Sequence, residues 1–151
     1  MAANTQPIFT KTPNLDISIW TSSLTGNTKS DGTGTIGTDM VKAVTGATEG
    51  TYVEKLRFIP QGSVAGTTLT ASVIRIYVST VGSGSTTRTD TTLLHEISVA
   101  ANTIDNATSG VNYFEVLLGL RIKTGQFIHW SMHHAAASNT SWGCVPFAGD
   151  Y

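Results

Sequence analysis

Apolar and polar residues alternate one by one along much of this chain, and the clearest run is 51–60, Thr-Tyr-Val-Glu-Lys-Leu-Arg-Phe-Ile-Pro. Tyr52, Glu54, Leu56 and Phe58 fall on one face of it, and Val53, Lys55, Arg57 and Ile59 on the other. A period of two is the mark of a strand half buried in a sheet, and Pro60, which has no N–H for the ladder, is expected to end it. Leu56 and Phe58 are expected in a core, Lys55 and Arg57 toward water or a partner, and Glu54 near the open end of the strand.

The same reading places strands at 15–20, 39–45, 69–80, 92–100, 113–120, 126–134 and 140–147. In the first, Leu15, Ile17 and Ile19 oppose Trp20. In 69–80, Val73, Arg75 and Tyr77 alternate with Ile74, Ile76 and Val78, and in 92–100 Leu93, His95, Ile97 and Val99 lie together. Residues 113–120 are apolar almost throughout, which predicts burial on both faces. The connections carry turn chemistry: Gly46 to Gly50, the Gly82-Ser83-Gly84-Ser85 hairpin link, Lys123-Thr124-Gly125 and the small-residue stretch 135–139. Residues 21–37 form a long loop of Gly, Thr, Ser and Asn, a length associated with function or mobility. Eight strands and no helix predict an all-β fold, an eight-stranded β-sandwich of jelly-roll type, with another sandwich topology or a closed barrel as alternatives. The expected core is Leu56, Phe58, Ile74, Ile76, Ile97, Leu117, Ile128 and Trp130.

The first thirteen residues differ in character. They are polar, hold Pro7 and Pro13, and offer only Ile8 and Phe9 as apolar anchors. Closely spaced prolines discourage both helix and central strand. The chain therefore divides into an extended N-terminal arm, 1–13, and one sandwich domain, 14–151. The arm residues Pro7, Ile8, Phe9, Thr10 and Lys11 are expected to touch a neighbouring subunit, Ile8 and Phe9 filling pockets and Lys11 meeting acidic surface.

Composition supports the pattern. About a quarter of the 151 residues are Ser or Thr and 13% are charged, a balance suited to strands and turns. A chain this long removes roughly 70% of its unfolded surface from water, enough for a core without metal or disulfide. Nine basic and ten acidic residues, with no run of either sign, give no stripe for a phosphate backbone, so no nucleic acid is expected as partner. No apolar stretch approaches membrane-spanning length and no signal peptide opens the sequence, so a soluble protein made in a cytosol is expected.

Candidate chemistry is sparse. His129 and His133 stand four apart on a predicted strand, roughly 13 Å at about 3.3 Å per residue, too far for one metal ion. Cys144 is alone, outside any nucleophile signature. The aspartates form no paired-carboxylate motif, and the glycines of 32–37 lack both the following Lys-Ser/Thr and the helix of a phosphate loop. No catalytic residue, metal or cofactor is expected.

Four stretches carry a family resemblance: Ala-Asn-Thr-Gln-Pro-Ile-Phe-Thr-Lys-Thr-Pro-Asn at 3–14, Tyr-Val-Glu-Lys-Leu-Arg-Phe-Ile-Pro at 52–60, Leu-Leu-His-Glu-Ile at 93–97, and Ala-Gly-Asp-Tyr at 148–151. In that order they resemble the head cement or decoration proteins of tailed bacteriophages. The resemblance implies a structural virion protein on the outer surface of the phage head, bridging neighbouring shell subunits and made in the cytoplasm of a host bacterium. Its partners would be the major capsid protein and other copies of itself, as dimer or trimer about capsid symmetry axes. Repetition around a shell would multiply modest single contacts. The competing reading is a carbohydrate- or receptor-binding module of a phage fibre or tail, with Trp20, Trp130, Tyr113 or Trp142 as stacking platforms.

Overall fold

The computed structural model describes residues 10–104 and 113–151. The regular elements among them are all strands: β1 Thr12–Asn14, β2 Ser18–Thr21, β3 Gly34–Thr35, β4 Val41–Thr45, β5 Thr51–Gly62, β6 Thr67–Leu69, β7 Ser72–Ser79, β8 Ser85–Thr86, β9 Thr91–Val99, β10 Asn102–Ile104, β11 Phe114–Ile122, β12 Phe127–Met132 and β13 Thr140–Asp150. The fold is all-β and antiparallel, but the expected eight strands become thirteen described ones. The first predicted strand, 15–20, is reduced to β2, with β1 before it at the end of the segment read as the arm, both along one side of β13, and β3–β8 and β6–β10 form two small ribbons.

The pairings are nested. β1 and β2 pair with β13, β4 with β12, β5 with β11, and β7 with β9. The chain thus behaves as a long hairpin rolled up on itself, closed by β13–β5 in one sheet and β12–β7 in the other. Two sheets result, β1/β2-β13-β5-β11 and β4-β12-β7-β9, in a jelly-roll-like arrangement. Val53, Leu56, Phe58, Trp142 and Cys144 of the first sheet meet Val44, Ile74, Ile76, Ile128 and Trp130 of the second in one core. Trp130 is its hub: its ring lies 5.2 Å from Phe58 and 5.8 Å from Trp20, and its indole N–H donates to Ser18 Oγ at 2.8 Å.

β5 departs from simple alternation. Between Lys55 and Val53 the register against β13 slips by one, leaving Glu54 as an extra residue, and the inward set changes from Thr51 and Val53 to Leu56, Phe58 and Pro60. Tyr52 and Glu54 therefore do not share the core face of Leu56 and Phe58, a bulge having switched the parity. Nor does Pro60 end the strand. Pairing with β11 stops at Phe58, and β5 runs on to Gly62 beside β13, leaving one side of the ladder open for a residue without an N–H.

β11 is not buried on both faces. Among the described strands it pairs only with β5, Val116 and Ile122 point inward, and Leu117 stands 77% exposed. Leu117 is thus removed from the expected core, whereas Leu56, Phe58, Ile74, Ile76, Ile128 and Trp130 are fully buried and Ile97 packs partly buried against them. Gly119, at φ +59°, supplies the left-handed residue that the β11 bulge requires.

The long loop after β2 is fastened to the outer face of the second sheet. Arg75, 7% exposed, donates from Nη1 to the Asn27 carbonyl at 2.8 Å and from Nε to Glu96 at 2.6 Å. The Tyr77 hydroxyl donates to the Lys29 carbonyl at 3.1 Å, and the Asn27 N–H donates to the Met132 carbonyl at 2.8 Å. Gly26 passes so close to the His133 carbonyl that a Cβ there would overlap it. The loop is a covering layer, which explains why Arg75 and Tyr77, on the face opposite Ile74 and Ile76, are buried too.

Candidate interaction face

Outward positions of the first sheet follow from the same alternation that fills its core. With Trp20, Trp142, Cys144, Leu56 and Phe58 inward, Ile19, Val145, Phe147, Lys55, Arg57 and Ile59 must face out, Ile19 exposed and the other five half-buried. Of the seven large hydrophobic residues exposed among the described ones, Leu15, Ile17, Ile19, Tyr113 and Leu117 belong to this sheet or border it. Single exposed apolar residues are ordinary, but two apolar edges flanking one sheet face mark a candidate interaction surface.

At the centre lies a knot of cations, rings and one carboxylate. Glu115 on β11 accepts from Lys55 Nζ at 3.0 Å and from Arg57 Nε at 2.9 Å. The Arg57 guanidinium sits 4.5 Å from the Tyr113 ring centre and 5.0 Å from that of Phe147, while Lys55 Nζ is 4.6 Å from Phe147. Each such cation–ring contact is worth ~0.5–1 kcal/mol at an exposed site. Hydrogen bonds from Lys55, then Arg57, hold the Glu115 carboxyl below its ordinary range. The knot offers no nucleophile or proton donor suited to catalysis. It fixes an arginine and a tyrosine, two side chains that dominate binding energy at protein interfaces.

Near the Glu54 bulge the face dips into a cavity of about 230 Å³ lined by Thr10, Leu15, Tyr52, Glu54, Phe147, Ala148 and Gly149. Thr10 of the arm is in its wall, and the Lys11 N–H donates to the Asp150 carbonyl at 2.7 Å, extending the β1–β13 pairing. Pro13, read as part of the arm, belongs to β1. Pro7, Ile8 and Phe9 lie outside the described residues.

The remaining sequence candidates are dispersed or sealed. His129 is fully buried, its Nε2 2.7 Å from the Val81 carbonyl, while His133 and His134 pack edge to face at 4.6 Å beyond the end of β12. Among the described residues no group of three or more His, Cys, Asp or Glu could hold a metal ion. Burial pushes the Cys144 thiol up to about 12. Trp20, Trp130 and Trp142 are buried and present no stacking platform, and the exposed Tyr113 ring already carries Arg57. Sequence reasoning placed Lys55 and Arg57 outward. It missed Phe147 and Glu115 and named Tyr113 only as a stacking platform, although the registration of all three opposite or beside those cations follows once the strand order is known.

No family model matches the sequence, and no curated protein matches it. Among solved structures, the chain is similar to one in a crystal structure of the T13 infectious bursal disease virus particle, at 14% identity and TM-score 0.28, and to one in that virus's VP2 subviral particle, at 15% and 0.28. Each match covers 98% of this chain, which spans about a third of the length of the other, 34% and 36%. A likeness at that level decides nothing about partners or activity.

The tailed-bacteriophage decoration family is withdrawn on these findings, because no family model supports it and the matched structures come from a different kind of virus. With it go the phage-head surface as location, the bacterial cytoplasm as place of synthesis, and the description as a cement protein. The physical reason lies in the motifs: 52–60, 93–97 and 148–150 are stretches of β5, β9 and β13, whose alternation any antiparallel sandwich needs.

Proposed function

We propose that this chain is a non-enzymatic structural protein of a virus capsid or a comparable shell, acting by association with copies of itself. The exposed face of the β1/β2-β13-β5-β11 sheet carries the reading: an apolar surface centred on an arginine held between two rings. Eight-stranded double-sheet jelly rolls serve as capsid subunits, lectins and cupins, and the choice among them rests on the site, not the fold. Buried tryptophans speak against a lectin, and the lack of a metal-ligand cluster among the described residues speaks against a metal-dependent cupin.

The arm adds a second contact in the same reading. Pro7, Ile8 and Phe9 dock in extended form on a neighbouring subunit, Pro7 lowering the ordering cost, from a base at Thr10 and Lys11 that lies along β13 of its own chain. The test measures oligomeric state by sedimentation over a wide concentration range, for the full chain and for one lacking residues 2–9, a cut that leaves β1 whole. Concentration-dependent self-association, weakened by the deletion at unchanged melting temperature, is expected. A full chain that stays monomeric at every concentration and joins no particle overturns the proposal.

A further inference from the structure

The outer face of the β1/β2-β13-β5-β11 sheet is bounded on both sides by apolar margins. Leu15, Ile17 and Ile19 stand at the β2 side, 56%, 67% and 46% exposed, and Tyr113 and Leu117 at the β11 side, 56% and 77% exposed. Across the face lie three cations, Lys55, Arg57 and Arg121, and two carboxylates, Glu115 and Glu54, so only one charge is left over. A strongly charged partner finds no complement here, whereas a second copy of the same face does. Four strands ~4.8 Å apart and ~30 Å long offer about 600 Å² per copy, or about 1,200 Å² for a pair, the lower bound of specific interfaces.

We infer that two copies of this chain pack face to face through this sheet about a two-fold axis running along the strands between β13 and β5. Such an axis is isologous and lays the β2 margin of one protomer over the β11 margin of its partner. Apolar then meets apolar at both edges, Leu15 against Leu117 and Ile19 against Tyr113, while Arg57 and Lys55 lie over the partner's Val145 and Phe147. Both margins are exposed in the single chain, so changing them leaves the core untouched. This inference rests on the self-association reading above and adds the surface and its symmetry.

The experiment uses Leu15→Glu and Leu117→Lys, each alone and mixed, with sedimentation equilibrium and thermal melting as readouts. Each variant alone is expected to dimerise at least tenfold more weakly than the unmodified chain, at an unchanged melting temperature. Mixing them restores dimerisation, because each then offers the opposite charge at the contacting margin. If both variants dimerise like the unmodified chain, this surface is wrong although self-association stands. If each is weakened but the mixture gains nothing, the two-fold arrangement is wrong. An unmodified chain that never self-associates removes this inference together with the reading beneath it.

Discussion

Replacing Arg75 tests whether the loop after β2 is a structural layer. Arg75→Met keeps the apolar stem but deletes two hydrogen bonds, to the Asn27 carbonyl at 2.8 Å and to Glu96 at 2.6 Å. The Glu96 side chain is 45% exposed, so that ion pair contributes only ~0–1 kcal/mol. The bond to Asn27, itself 2% exposed, comes from a charged donor to a buried acceptor and is worth ~1.5–3 kcal/mol. The expected loss is therefore ~2–4 kcal/mol, read from urea midpoints at constant slope. Arg75→Lys keeps one of the two bonds and should lose ~1–2 kcal/mol, since an ammonium lacks the forked donors. Hydrogen exchange locates the effect: the Asn27 amide, bonded to the Met132 carbonyl, should lose protection well before the β7 amides. A Met variant within about 0.5 kcal/mol of the parent, or unchanged protection at Asn27, would show that the loop is held by something else.

Other outcomes follow from the core and the buried titrating groups. Phe58→Ala and Trp130→Ala should each cost ~3–5 kcal/mol by chemical denaturation, both being fully buried and in ring contact; near-neutral values would mean the core is misplaced. Burial pushes the His129 imidazole below its ordinary 6.5, with Lys42 acting in the same sense and the bond to the Val81 carbonyl opposing. The unfolded chain takes up that proton first, so this contribution to stability is whole above pH 6.5 and falls as pH drops toward the lower folded value. His129→Gln should flatten the decline in urea midpoint between about pH 7.5 and 5, and an equal slope in both proteins would refute the assignment. Cys144, with its thiol raised to about 12 and buried, should resist a thiol reagent until the protein unfolds, and rapid labelling of the native chain would contradict that environment.

Much of the architecture was legible because alternation reports burial wherever one face meets a core. Leu56, Phe58, Ile74, Ile76, Ile128 and Trp130 were placed that way, and all six are fully buried. Leu117 was misplaced for an equally physical reason. An apolar strand looks the same whether both its faces are buried or one faces outward at a sheet edge, and only the strand order separates the two. The parity change at Glu54 was invisible too, since a bulge is a property of a pair of strands. The covering role of the loop depends on the carbonyls of Asn27 and Lys29, and backbone acceptors carry no sequence signal. At the candidate face the outward cations were readable from β5 alone, whereas Phe147 and Tyr113 became their neighbours only through the register of β13 and the edge position of β11.

The nested pairing also bears on how the chain acquires its structure during synthesis. β1 and β2 have β13 as their sole described strand partner, so residues 12–21 must wait until 140–150 have left the ribosome. β7 and β9 are separated only by the short link that holds β8 and can close early, with β5–β11 and then β4–β12 added outward from that innermost turn. Loops of increasing length are closed at each step, so folding should be slow compared with helical proteins of this size. Until β13 arrives, one side of β5 stays open beside the aromatic core, and the nascent chain is most exposed to aggregation in that interval.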